Sequence, residues 1–173
     1  MYVTRSHALA APPVGPAAID RELRDHLEIV DALYRFGLGQ DLADRTLVAS
    51  SFAADAELDF RPAAARWGGR PPLMVSRDTI VDTILGGFAG RVVTTHQVTN
   101  PRSDVAGDGA TLTALVEAQH VLVADRGTHA LLKNRYDVAL MRDGARWVMR
   151  RVRIDNVWYT GTPAAIFGSP DGV

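Results

Sequence analysis

The period of the hydrophobic pattern changes once along this chain, near Gly90. Before that point apolar residues recur at spacings of three and four: Leu23, Leu27, Val30, Leu33, Tyr34 and Leu38. Such a stripe predicts an amphipathic helix starting near Asp20, with Arg21, Arg24, Glu28 and Arg35 outward and Gly37 and Gly39 weakening its end. Asp44 is placed to cap a second, short helix that buries Leu47, Val48 and Phe52. A strand over Ala56–Phe60 follows. The stretch Arg61–Ser76, broken by Pro62, Gly68, Gly69, Pro71 and Pro72, reads as a long excursion with one short strand around Trp67. Ser76 then caps a third helix, with Ile80, Ile84, Leu85 and Phe88 on its inner face and Gly90 as its stop.

After Gly90 the pattern alternates with a period near two, predicting strands over Val92–Asn100, Ala110–Ala124, His129–Arg142 and Ala145–Tyr159. Gly107-Asp108-Gly109, Asp125-Arg126-Gly127 and Asp143-Gly144 supply residues that tolerate the positive φ of tight turns, so the strands form consecutive hairpins. A long antiparallel sheet preceded by three helices must bury its apolar face, and strand twist wraps it around them. The fold class is α+β: three N-terminal helices packed in a curved antiparallel sheet, a helix-filled half-cone. Residues 1–18, rich in Ala and Pro, are expected to form a flexible arm, 19–162 the domain and 163–173 a C-terminal tail.

Composition narrows the partners. The 173 residues suit one domain, and 47% hydrophobic content is ample for a core that encloses a cavity. With 19 basic and 20 acidic residues the net charge is −1, which offers no electrostatic case for nucleic acid or an anionic membrane. The absence of cysteine excludes disulfides, thiolate metal sites and cysteine nucleophiles. The N-terminal apolar run is too short and proline-broken for a signal peptide, and no run approaches a membrane span. A cytoplasmic protein is expected.

Two polar residues interrupt the apolar pattern where chemistry could use them. Continuing the stripe Val30, Tyr34, Leu38 by one turn reaches Asp41 at the end of the first helix. In the strand from Val92, His96 shares a face with Val92, Thr94 and Val98 that should look toward the helices. Brought together, they form a carboxylate–imidazole pair capable of proton transfer without metal or cofactor. On the next strand His120 falls on the apolar face with Leu112, Ala114, Val116, Ala118 and Leu122, while Glu117 and Gln119 point outward. Asn134 shares a face with Leu132, Tyr136 and Val138, and Asn156 with Ile154 and Trp158; these amides either bind substrate or are structural. Tyr34 is a candidate acid or anchor, and Trp67, Phe88 and Trp158 form either a cavity wall or plain core. The scattered histidines suit no metal, and neither a dinucleotide fingerprint nor a Gly-x-Ser-x-Gly elbow occurs. Val121, Val123, Leu131, Trp147 and Met149 on the outer face need cover, which marks an interface.

Leu33-Tyr34-Arg35-Phe36, the run Ser51–Phe60, Thr94–Asn100 and Arg146–Arg151 resemble the SnoaL-like polyketide cyclase and scytalone dehydratase-like group of the nuclear transport factor 2-like superfamily. The resemblance covers about residues 20–160. It implies a cone-shaped fold and a homodimer through the sheet, but the superfamily includes cyclases, dehydratases, isomerases and proteins that only bind. In the dehydratase-like members an aspartate ending the first helix pairs with a histidine in the first long strand, which carries over to Asp41 and His96. A second histidine carries over to His120. Two water-holding tyrosines fall at Gln40 and Phe60, which departs from the pattern. In ketosteroid isomerase-like members a strand aspartate acts as base, but the matching position here is Phe60, and Asp59 should face away from the cavity. The resemblance and the residues together imply a cofactor-independent dehydratase, cyclase or isomerase acting on a small apolar oxygenated molecule such as a polyketide, terpenoid or steroid-like intermediate. The alternative is a non-catalytic binding or assembly subunit similar to the small subunits of aromatic-ring dioxygenases.

Overall fold

A computed structural model describes residues 16–168, with four of its five helices and two short strands before Gly90 and the four long strands after it. Helix α1 spans Pro16–Asp41, α2 Arg45–Ala49, α3 Arg61–Ala64 and α4 Arg77–Phe88. Strands are β1 Phe52–Asp59, β2 Met74–Val75, β3 Val92–Ala106, β4 Gly109–Leu122, β5 His129–Asp143 and β6 Arg146–Gly161, and α5 Pro163–Phe167 closes the fold. The expected arm over 1–18 falls mostly outside the described residues; α1 already begins at Pro16. The excursion differs from expectation. Trp67 lies in a 3₁₀ turn, Ala65–Trp67, after a helix started by Pro62, and the short strand is at Met74–Val75 instead. The sheet order is β2-β1-β6-β5-β4-β3, antiparallel except where β1 runs parallel to β6.

The first helix is rotated from the face its leucines suggest. Ile29, Val30, Ala32, Leu33 and Phe36 are buried, whereas Leu23, Leu27, Tyr34 and Leu38 are about half exposed. Arg35, expected outward, is 8% exposed: its guanidinium donates to the Ser50 and Trp147 carbonyls and to Asp31. Two polar anchors therefore set the rotation, Arg35 and the buried Asp25. Asp25 accepts hydrogen bonds at 2.9 Å from Trp147 Nε1 and from Arg142 Nη2, and the Arg142 guanidinium lies 4.4 Å from the centre of the Trp147 ring. Gly37 and Gly39 do not end the helix. They permit close approach, since a Cβ on Gly37 would sit 3.0 Å from His96 Cβ and one on Gly39 2.6 Å from Val48. The helix ends in a Schellman turn, with Asp44 N–H donating to Gly39 O, Ala43 N–H to Gln40 O, and Ala43 at φ 52°.

Two bulges in the β5–β6 pairing reset strand parity. One lies between Ala139 and Leu140 and turns Met149 toward Leu140, so Trp147 and Met149 are fully buried rather than on the outer face expected of them. The other lies between Lys133 and Asn134: Asn156 stays opposite Asn134, but Trp158 moves opposite Lys133 and is 47% exposed. Trp158 and Asn156 no longer share a face.

Removing the Asp25 carboxylate strands a buried indole N–H and takes from Arg142 the nearer of its two carboxylate partners, leaving Asp108. Asp25→Ala is expected to lower unfolding stability by about 2–4 kcal/mol in urea titrations at neutral pH. The Arg142 hydrogen bond, opposed by burial, holds the Asp25 carboxyl below its ordinary 3.8, so its contribution is complete above that pH and is lost as acid takes the pH through the lowered value.

Candidate active site

Inside the cone lies a cavity of about 920 Å³, within the range of small-molecule sites. His96 reaches it from β3, and the end of α1 meets that strand where Gly37 allows the closest approach. His96 Nδ1 lies 2.6 Å from Asp41 Oδ1, while Asp41 Oδ2 accepts the His96 backbone N–H at 2.8 Å. The Thr94 hydroxyl donates to the same Oδ1 at 2.8 Å. Burial raises the Asp41 carboxyl, but the hydrogen bond and charge of His96, its backbone N–H and the Thr94 hydroxyl outweigh that and hold the group below its ordinary 3.8. An ionised Asp41 can only accept, so Nδ1 of the imidazole carries a proton, and in the neutral ring Nε2 is the nitrogen left as a base. The His96 side chain is 4% exposed.

His120 stands beside His96 with ring centres 5.6 Å apart. Burial, and then the charge of His96, push it down to about 3, so at neutral pH it is uncharged. Its Nδ1 has no hydrogen-bond partner among the described residues. Above it sits an aromatic cluster in which Phe167 of α5 packs 4.8 Å from the His120 ring and 5.6 Å from both Trp67 and Phe60, with Phe88 at 5.9 Å. Gln40, Phe60, Trp67, Phe88, His120 and Asn134 all line the cavity.

Three sequence candidates fall elsewhere. Tyr34 is 48% exposed on the outer side of α1, because the helix is rotated by its Asp25 and Arg35 anchors. Trp158 is on the outer sheet face beyond the bulge. Asn156 is not among the lining residues; directly across from Asn134, its Nδ2 donates to Asn134 Oδ1 at 2.9 Å and leaves the Asn134 amide nitrogen to serve as a donor. Asp59 pairs with Arg61 and Arg153 and is not among the lining residues. The sequence reading missed Thr94 as an Asp41 partner, although it shares the His96 face, and missed Tyr136, whose hydroxyl burial pushes up so that it stays protonated. Phe167, in the segment taken for a tail, covers the cavity. No group of three or more His, Asp or Glu residues is gathered for a metal among the described residues.

The model of the SnoaL-like domain matches residues 21–153 of the sequence. No curated protein matches it. Among solved structures, a protein provisionally named scytalone dehydratase from Novosphingobium aromaticivorans is similar with a TM-score of 0.72 at 20% identity, over 83% of this chain and 91% of that one. The hexachlorocyclohexane dehydrochlorinase LinA-type3 from Novosphingobium barchaimii gives 0.68 at 19% identity, over 83% of this chain and 93% of that one. A protein described as NTF2-like with a cystatin-like fold, also from N. aromaticivorans, gives 0.63 at 20% identity, over 86% and 91%. At these identities the likeness establishes the fold, an NTF2-like cone.

The neutral His120 makes the fold acid-sensitive in a defined window. The unfolded chain takes up a proton near pH 6.5 and the folded one only near 3, so stability is complete above the first value and falls as pH drops toward the second. Each pH unit in which the states differ by one proton contributes about 1.4 kcal/mol. In urea midpoints measured from pH 7 to 3, His120→Phe is expected to flatten that slope; an unchanged slope would contradict the buried neutral imidazole.

Proposed function

The chain belongs to the SnoaL-like domain family, and from that premise we propose that it is a cofactor-independent acid–base enzyme, a dehydratase, cyclase or isomerase of a small apolar oxygenated molecule. The observation that carries this reading is the 2.6 Å contact of Asp41 with His96 at the wall of a cavity large enough for a bicyclic or polycyclic compound. His96 Nε2 takes a proton from the carbon next to a carbonyl or hydroxyl-bearing centre. Asp41 fixes the ring and stabilises the imidazolium that forms. The electron pair left on carbon forms a double bond as the hydroxyl leaves, and the imidazolium returns its proton to that oxygen as water departs. Returning the proton to carbon at another position gives isomerisation.

The substrate's oxygen meets neutral donors, the Asn134 amide and the Tyr136 hydroxyl, which polarise it without competing for the proton. Eliminations named for the dehydratase and dehydrochlorinase that share this fold need the same element, one positioned base. A binding or assembly subunit would require neither the ionised carboxylate nor an imidazole held by it. Metal and organic cofactors have no part in this mechanism. The outer sheet face, where Val93 pairs with Val121, Gln119 with Leu131 and Lys133 with Trp158, supports a homodimer formed through it. No helix among the described residues is long and apolar enough to cross a membrane.

Proton abstraction can be read without knowing the natural substrate. In D₂O the protein is expected to accelerate exchange of the carbon-bound protons beside the carbonyl of 2-tetralone, followed by NMR. His96→Ala should lose about 10²-fold or more of that acceleration while keeping its circular dichroism; a His96→Ala protein as fast as wild type removes the reading. Light scattering after size exclusion should give twice the chain mass, and a monomer at all concentrations rejects the dimer.

A further inference from the structure

The charges around the cavity have one sign. Among the residues that line it, Arg70 and Arg91 carry formal charge and no aspartate or glutamate does. Asp41, the nearest acid of the site, is occupied by His96 and Thr94. Arg70, in the exposed loop after α3, has no carboxylate partner among the described residues. Arg91 is held in place without being neutralised: Nη2 donates to Gly87 O at 2.9 Å and to Ile166 O at 2.7 Å. Both acceptors are backbone carbonyls, so the guanidinium keeps its charge, and Nη1 has no partner among the described residues. A third group points the same way. Trp67 Nε1, buried beside Gly69, is a donor with no acceptor among the described residues. Two cations without a carboxylate partner among the described residues and one buried, unpaired N–H are donors that suit an anionic oxygen.

We propose that this rim is the subsite for a carboxylate, and that the substrate is an aromatic or polycyclic organic acid whose anionic end sits at Arg70 and Arg91 while its reacting carbon lies at His96. The inference rests on reading the cavity as a substrate chamber. It assigns that chamber a polarity, with the aromatic cluster of Phe60, Trp67, Phe88 and Phe167 roofing the flat body between a cationic end and the acid–base end. Binding energy from the carboxylate, remote from the reacting bond, is then available to orient that bond. The helix carbonyls that immobilise Arg91 reduce the entropy lost when the anion docks. The same contacts tie α4 to α5, which gives Arg91 a purely structural role to be tested against this one.

The test compares two probes of one shape, 2-naphthoate and its neutral counterpart 2-naphthamide, by isothermal titration calorimetry on the full chain. At low salt the carboxylate is expected to bind about tenfold tighter than the amide, with the advantage shrinking at high salt. In Arg70→Gln, whose exposed loop position spares the fold, and in the double variant with Arg91→Gln, the advantage should fall toward unity while amide binding is kept. Equal affinities for the two probes in the wild type, or an advantage that survives the double variant, overturns the carboxylate subsite and leaves the chamber reading intact. A double variant that only melts earlier, with the ratio preserved, assigns Arg91 to the α4–α5 tie and likewise overturns the proposal. Binding of neither probe overturns both readings together.

Discussion

A carboxylate at the C-terminal end of a helix is in the wrong place for the helix, and this fold is built around one. The last carbonyls of α1 present partial negative charge, so Asp41 gains nothing from its own helix and is stabilised entirely from β3. Three donors from that strand satisfy it: a hydroxyl, a backbone N–H and an imidazole. The requirement that helix and strand meet within hydrogen-bond reach explains features that otherwise look like local weaknesses. Gly37 removes the side chain that would collide with His96, and Ala43 adopts a left-handed conformation that ends the helix directly after the acid.

The rest of the interior follows from that contact. Once α1 is pinned to β3 at one end, Asp25 and Arg35 fix its rotation against Trp147 and the carbonyls at the ends of α2 and β6. The space left between helix and sheet is lined on one side by the imidazoles and the Asn134 amide, and roofed on the other by aromatic rings from three separate segments. Burial keeps His120 uncharged and Tyr136 protonated. The ionised Asp41 therefore holds a single imidazole, and under the proposed function its neutral neighbours would polarise a substrate oxygen without exchanging its proton.

Much of this was legible in residue order, for identifiable reasons. Strand periodicity and hairpin glycines placed β3 to β6 to within a few residues except at the far end of β3, and the caps at Asp44 and Ser76 placed α2 and α4. The His96 face was readable because β3 has no bulge between Val92 and Thr99. Parity failed in β6, where each of two bulges flips the strand: Trp147 and Met149 went inward and Trp158 outward. A bulge leaves no apolar or polar signature that alternation can detect. The rotation of α1 failed for a different reason, since its anchors are charged residues that a hydrophobic stripe assigns to solvent. Phe167 was lost because a short helix after the last strand carries no period of its own.

The most direct test of the central contact is the tautomer of His96, read from long-range ¹⁵N–¹H correlation of the imidazole at neutral pH with the signal assigned through a His96→Gln variant. The structure predicts a proton on Nδ1, shifted downfield by its bond to Asp41, with Nε2 the unprotonated nitrogen of the neutral ring, and loss of that signal in Asp41→Asn. A neutral ring with its proton on Nε2 and none on Nδ1, or a spectrum indifferent to Asp41→Asn, would contradict the account.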